Sequence, residues 1–405
     1  MKAVVFRGVG DIRLEDVREP KLKEPTDAIV RLTASAICGT DLHFVRGTLS
    51  DVKSGTILGH EGVGVVEQIG NDVRNLKEGD RVVVPSTIAC GSCVYCRAGY
   101  YSQCDNANPN GPGAGTAFYG GPKSSGPFDG MQAEFVRVPF ANVNLVKLPD
   151  EISDDQAILL SDIFPTGYMG AEMAEINSGD TVAVFGCGPV GQFAIASAKL
   201  LGAGRIIAVD RYPSRLEMAR NQGAEVINFD DDDPVKTIKR LTDDIGVDRA
   251  IDAVGVDADK PGKKSNELWQ PGNAPSQVLD WALEVLAKAG TLSIIGVYDE
   301  ETKFSIGNAM EKNLTIQMGN CHHRKYIPML IKVVQQGLFD PSTILTQSVP
   351  MTSIIEAYEN FDLRKDGWVK VMVQPAAVAK QSRVAAKNVR LRSKKSRGRK
   401  TGSPR

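Results

Sequence analysis

No stretch of this 405-residue chain stays apolar for the roughly 18 residues a membrane helix needs. The opening residues, Met1-Lys2-Ala3-Val4-Val5-Phe6, lack the long apolar core and small-residue cleavage site of a secretory signal, so a cytoplasmic location is the expectation. Cysteine is scarce. Seven in so long a chain do not make a disulfide framework, and four of them cluster, which in a reducing compartment reads as metal ligation. No Asp or Glu follows Pro375, where eleven of the 48 Lys and Arg lie; residues 1–374 keep 37 basic against 49 acidic side chains, a net −12 beneath a whole-chain charge of −1. No internal repeat is visible. Forty-two per cent apolar and 24% charged residues are ordinary globular figures, and the length suggests two or three domains with cores of their own.

Residues 1–150 hold short β-type runs broken by Gly and Pro, at 3–6, 28–33, 64–69, 80–85 and 133–138, which suggests a compact barrel or sandwich-like unit. Within it, Cys90-Gly-Ser-Cys93-Val-Tyr-Cys96 is followed after seven residues by Cys104. Four thiolates at this spacing converge on one ion from a single loop, and a zinc closed by four sulfurs staples a lobe without doing chemistry. The ferredoxin spacings of iron–sulfur sites differ from this one. Residues 105–130 read as a long ordered loop; its Phe118, Tyr119 and Phe128 either line a pocket or pack on the loop itself.

From about residue 155 the pattern changes to alternating strands and helices. Strands are expected at 181–185, 205–210, 225–229, 248–254, 291–297 and 314–318, with helices at 190–201, 213–222, 235–244 and 278–289. Such alternation implies a parallel, doubly wound sheet. Its first strand-to-helix turn reads Gly186-Cys-Gly188-Pro189-Val190-Gly191. The first glycine permits the tight turn, the second lets a pyrophosphate approach the backbone, and the third lets helix and strand close up. The helix N-terminus then meets the phosphates with unpaired N–H groups. The second strand ends in Asp210, whose carboxylate suits the two ribose hydroxyls of NAD and repels the 2′-phosphate of NADP; Arg211, next to it, softens that preference. Residues 257–277 form a polar insertion, expected as a surface loop near the cofactor edge. The run Gly319-Asn-Cys-His322-His323-Arg324 suggests a metal site, but adjacent histidines point in different directions, so turn residues or phosphate contacts are the favoured reading.

The chemistry centres on Cys38-Gly39-Thr40-Asp41-Leu42-His43, with His60 and Glu61 further on and Asp162 far downstream. Thiolate, imidazole and carboxylate are zinc donors, and three such ligands with an open fourth position make a catalytic site. The competing readings are a buried cysteine with surface histidines, and an Asp162 that caps a helix in its apolar setting.

Together these motifs resemble the zinc-dependent medium-chain alcohol dehydrogenases over residues 1–374. The resemblance implies an α/β protein with a GroES-like β-rich catalytic domain, split as 1–163 and 319–374 around a Rossmann domain at 164–318. A structural zinc lobe would lie at about 88–105, and a basic tail, expected to be disordered, at 375–405. It implies two Zn2+ per chain, one held by Cys38, His60 and Asp162 and one by Cys90, Cys93, Cys96 and Cys104. Many relatives have cysteine where this chain has Asp162; its Ser-Asp-Ile-Phe-Pro-Thr-Gly setting is similar to the formaldehyde dehydrogenase and dismutase branch. Thr40 would take the alcohol proton and pass it by the cofactor ribose to His43. Glu61 resembles a carboxylate that lies beneath the zinc, supporting its ligands or serving as an alternate one, and Lys370 a basic pyrophosphate contact. NAD is the implied hydride acceptor and a primary alcohol, aldehyde hydrate or adduct the substrate, in a dimer or tetramer. Alternatives are a dismutase that never releases NAD, with the 257–277 insertion over the adenosine; a polyol or threonine dehydrogenase; and a catalytically silent dinucleotide sensor touching nucleic acid through the basic tail.

Overall fold

The computed structural model describes residues 1–263, 267–298 and 302–375; the basic tail beyond Pro375 lies outside these residues. Among them, no helix is long and apolar enough to cross a membrane.

Two sheets position the site. In the first, strands run in the order Gln347–Pro350, Val371–Gln374, Ala28–Ile37, Gly62–Ile69, Arg81–Val84 and Val146–Lys147, and Phe135–Val138 pairs off this path with Ala28–Ile37. The long strand is buried over almost its whole length, only Arg31 and Thr33 being partly exposed, as befits the centre of the sheet. The C-terminal strand returns antiparallel to it, Val371 opposite Ile37 and Val373 opposite Ser35. That register sets residue 370 directly beside the segment leading into Cys38.

The second sheet is wholly parallel, in the order Glu225–Asn228, Arg205–Asp210, Thr181–Phe185, Val247–Asp252, Leu286–Ile294 and Thr315–Met318. From Thr181–Phe185 the chain steps outward to one edge, then crosses back and steps outward on the other side. Strand order reverses between Thr181–Phe185 and Val247–Asp252, and a crevice opens at their carboxyl ends, where doubly wound sheets bind ligands. One expectation fails here. The helix expected over 278–289 ends at Val285, and Leu286 already pairs with Val247 as the start of the next strand. Leu286 takes extended backbone (φ −63°, ψ 136°) and Ala289 has φ +60°, which a continuing right-handed helix cannot contain.

The glycine-rich turn shows why each position differs. Gly186 has φ +87°, and a Cβ on Gly191 would stand 1.8 Å from the Gly186 carbonyl oxygen. A Cβ on Gly188 would meet no heavy atom nearer than Arg215 Nη1 at 3.7 Å. Protein packing therefore demands Gly186 and Gly191, while the bare backbone of Gly188 faces open space. Helix Pro189–Leu200 then packs on helix Ile163–Met173, with Phe164 stacked on Phe193 at 4.7 Å between ring centroids. Each buried ring contributes about 1.5–3 kcal/mol and their contact about 0.5–1.5 more. This packing fixes the helix that begins immediately after Asp162.

Candidate metal centre and dinucleotide cleft

Helix Gly39–Arg46 starts at Cys38 because the Asp41 carboxylate reaches back to accept the Cys38 N–H at 3.0 Å. Gln132 donates to the same carboxylate oxygen at 3.1 Å, and Tyr358 donates to Gln132 at 2.7 Å. Around this buried frame one donor atom each from Cys38, His60, Glu61 and Asp162 lie within 4.8 Å of one another. His60 Nε2 is 3.2 Å and Cys38 Sγ 3.6 Å from Asp162 Oδ2. His60 Nδ1 lies 3.3 Å from Asp41 Oδ1. Asp162 stands at the N-cap of its helix but makes no side-chain cap bond, so its carboxylate is spent in this cluster instead.

The electrostatics suit a bound cation. Burial opposes charge on His60, yet Asp41 and Cys38 hold its pKa well above the ordinary imidazole value. Burial lifts the Cys38 thiol. Burial also pushes Asp162 upward, but hydrogen bonds from His323 and His60 overcome it and keep the carboxyl well below its usual range. Glu61 is raised to about 7 by burial, against the pull of Lys370. Its Oε1 takes the Lys370 ammonium at 2.5 Å, while its buried Oε2 has no partner. Four buried donors with an orphaned carboxylate oxygen among them are what a divalent ion would satisfy.

The structure places Lys370, expected from the resemblance as a pyrophosphate contact, against the metal donors rather than along the cleft. Its side chain is 0% exposed and bonds Glu61 and the Ile37 carbonyl (3.1 Å), beneath the cluster and away from the cleft. The returning strand register carries it there. The two adjacent histidines point in different directions, as expected, and each finds a side-chain partner. His322 Nδ1 meets Ser102 Oγ at 2.8 Å, whereas buried His323 Nε2 lies 2.7 Å from Asp162 Oδ1. Phe118 sets its ring edge-on to His60 at 6.4 Å and stacks on Phe44, while Tyr119 and Phe128 pack on each other.

Cys90, Cys93, Cys96 and Cys104 form the second donor set, also within 4.8 Å, and none is in a disulfide. Backbone N–H groups of Cys93 and Ser92 point at Cys90 Sγ (3.4 Å each) and that of Cys90 at Cys104 Sγ (3.2 Å). Such N–H donors favour thiolates, and the cluster fits a structural zinc site.

One cleft joins the first donor set to the sheet crevice. Cys38, Thr40 and His43 line one end, Gly186, Gly188, Pro189 and Val190 the middle, and Asp210 and Arg211 the other. Asp210 accepts the N–H groups of Cys187 (2.8 Å), Arg211 (2.6 Å) and Tyr212 (3.0 Å). Of about four lone-pair positions on a carboxylate this leaves one, fewer than two ribose hydroxyls would use. Arg211 does not stand ready for a 2′-phosphate as expected: its guanidinium is held by Asp230 (2.5 Å) and Asp259 (3.4 Å) and lies over Phe229.

The insertion is not merely a surface loop. Asp257, at its start, is buried and takes Arg46 at 2.6 Å and Thr48 at 3.0 Å; His43 Nδ1 lies 3.0 Å from its carboxylate, short of the alignment of a full hydrogen bond. Burial alone would raise this carboxyl, but His43 and Arg46 depress it strongly. Two residues on, Asp259 reaches Arg211 and Arg364. Sequence reasoning missed Asp257, Arg215 and Arg364 along this cleft, since nothing local distinguishes them from solvated charges.

A doubly wound sheet with a bare glycine backbone in its crevice, opening onto a buried thiolate–imidazole–carboxylate set, defines a metal-dependent oxidoreductase that uses a dinucleotide. Residues 24–150 match the family described as Alcohol dehydrogenase GroES-like domain, and residues 189–260 that described as Zinc-binding dehydrogenase. An uncharacterized zinc-type alcohol dehydrogenase-like protein of Bacillus subtilis is 36% identical over 93% of this chain and its own full length. A glutathione-independent formaldehyde dehydrogenase of the same organism is 33% identical, covering 94% of this chain and 98% of its own. The alcohol dehydrogenase TADH from Thermus sp. ATN1 superposes with a TM-score of 0.80 at 36% identity, over 93% of this chain and 100% of that one. The chain belongs to the zinc-dependent medium-chain alcohol dehydrogenase family. It is an alcohol/aldehyde oxidoreductase whose cofactors are zinc and a nicotinamide dinucleotide.

Proposed function

We propose that this enzyme transfers hydride between NAD and a short primary alcohol, or the hydrate of a small aldehyde of the formaldehyde type. What carries the reading is the cleft lined by Cys38, Thr40 and His43 at one end and by the glycine turn further along, with His60 and Asp162 clustered on Cys38. The glutathione-independent formaldehyde dehydrogenase relative supports the aldehyde side. Residues 1–163 with 319–374 would form the catalytic unit and 164–318 the dinucleotide unit, in keeping with the membership of the two sheets. A dimer or tetramer is in keeping with exposed Ile306, Met310 and Met318 near the edge strand.

Zinc at Cys38, His60 and Asp162 supplies the Lewis acidity that lowers a hydroxyl pKa, and NAD the hydride acceptor. The chain's own residues do the rest. Thr40 and His43 are three apart on one helix and so present one face to the cleft. Thr40 Oγ1 takes the substrate proton and passes it on toward His43. Asp257 beside Nδ1 fixes the imidazole's orientation and leaves Nε2 to receive that proton. Phe118 and Phe44 keep water from the donor set.

Turnover of a panel of short alcohols, formaldehyde with and without glutathione, and polyols tests this. The highest kcat/KM is expected for a short primary alcohol or for formaldehyde without glutathione; a tenfold preference for a polyol would overturn it. Asp210→Ala should raise the KM for NAD roughly ten- to a hundredfold, the worth of one charge-assisted hydrogen bond of about 1.5–3 kcal/mol, and relax discrimination against NADP. An unchanged preference in cofactor kinetics would remove Asp210 from the ribose.

A second reading is favoured by the insertion, whose Asp257 and Asp259 tie it to both ends of the cleft. In that reading NAD stays bound between turnovers and the enzyme dismutates aldehyde. Denaturing purified protein and assaying the supernatant for NAD decides it, with about one equivalent expected for a retained cofactor.

A further inference from the structure

Where a thiolate offers a metal one atom, a carboxylate offers two, and its extra torsion lets either swing inward. At position 162 the second oxygen is already taken. Oδ2 lies among the donors, 3.2 Å from His60 Nε2 and 3.6 Å from Cys38 Sγ. Oδ1 faces the other way and accepts from His323 Nε2 at 2.7 Å and from the Thr166 hydroxyl at 3.1 Å. His323 is 3% exposed, at the first position of helix His323–Gln335, and its Nδ1 lies 3.0 Å from Thr87 Oγ1. Thr87 Oγ1 also donates to the Cys321 carbonyl at 3.3 Å. The Asp162 carboxylate can only accept, so His323 Nε2 carries the proton directed at it. A buried chain of two hydrogen bonds thus runs from Thr87, three residues past strand Arg81–Val84, to the carboxylate.

We propose that His323 is the positioning residue that lets aspartate serve at position 162: by occupying Oδ1 through the Thr87–His323 chain it presents Oδ2 alone to the metal. This rests on the proposed assignment of Cys38, His60 and Asp162 as ligands. It also separates the two neighbouring carboxylates. Glu61 keeps one oxygen on Lys370, and Asp162 keeps one on His323, so each offers a single oxygen to the centre. Partners that orient a ligating group typically alter metal affinity by roughly 10–100-fold when removed.

The test follows zinc, not turnover. Zinc per chain and its rate of loss to a chelator are measured for the parent chain, His323→Phe, His323→Gln, Asp162→Cys and the Asp162→Cys/His323→Phe double variant. The melting curve and the retained four-cysteine zinc report the fold. His323→Phe should lose the second zinc roughly 10–100-fold faster than the parent. His323→Gln, which restores an N–H donor, should recover most of that. In the Asp162→Cys background, where no second oxygen needs holding, adding His323→Phe should change the rate less than about threefold, as expected for uncoupled sites. Parent-like zinc retention in His323→Phe, or equal losses in the two backgrounds, would overturn the inference. If the Asp162→Cys background holds no second zinc, equal loss in His323→Phe and His323→Gln overturns it. A parent chain with only one zinc refutes the ligand assignment itself, a different result from any of these.

Discussion

His60→Ala is expected to leave one zinc per chain instead of two and to cut kcat/KM by at least roughly a thousandfold. His60 is buried, with Nε2 3.2 Å from the Asp162 carboxylate and Nδ1 3.3 Å from Asp41. No other described side chain could supply that imidazole: His43 faces Asp257, His323 is committed to Asp162, and His322 packs against Ser102 and Tyr100. A metal acting as Lewis acid stabilises a transition state by several kcal/mol, and each factor of ten in rate is about 1.4 kcal/mol. The substitution therefore removes about 4 kcal/mol or more from catalysis. The fold should persist, because the structural cluster at Cys90–Cys104 and the two sheets do not depend on His60. Elemental analysis beside steady-state kinetics checks both halves; turnover within tenfold of the parent would end the metal assignment.

How much of this was legible depended on whether the evidence was local. The strand 205–210 is found where its apolar run and flanking turn residues placed it, and the turn at 186–191 follows from glycine spacing alone. The four cysteines at 90–104 sit within one loop, so their spacing carried their convergence. The donors Cys38 and Asp162 are 124 residues apart, and only resemblance joined them. His323, 161 residues from Asp162, and Asp257, 211 from Arg46, left no local mark: their partners are chosen by how the two sheets come together. The helix at 278–289 was overrun for another reason. Its apolar periodicity continues into a strand with an apolar face of its own, and the break depends on the backbone at Leu286 and Ala289.

Lys370 sets a role implied by resemblance against the surroundings the structure gives the side chain. Lys370→Met keeps the length and apolar stem of the residue but strips Glu61 of its cation at 2.5 Å, in a place where neither group meets solvent. Breaking a buried ion pair from one side costs about 3–5 kcal/mol, because the remaining charge is left desolvated and unpaired. The Ile37 carbonyl loses a donor as well. At about 2–4 °C per kcal/mol for domains of 150–250 residues, melting should fall by roughly 6–20 °C. Metal-loaded protein should fall less, since a cation at the centre would give Glu61 Oε2 a partner. The KM for NAD should stay within about threefold of the parent, since Lys370 does not line the cleft. A tenfold rise in that KM with unchanged melting would return Lys370 to the pyrophosphate; the opposite pattern makes it the counter-charge on which the buried floor of the metal centre stands.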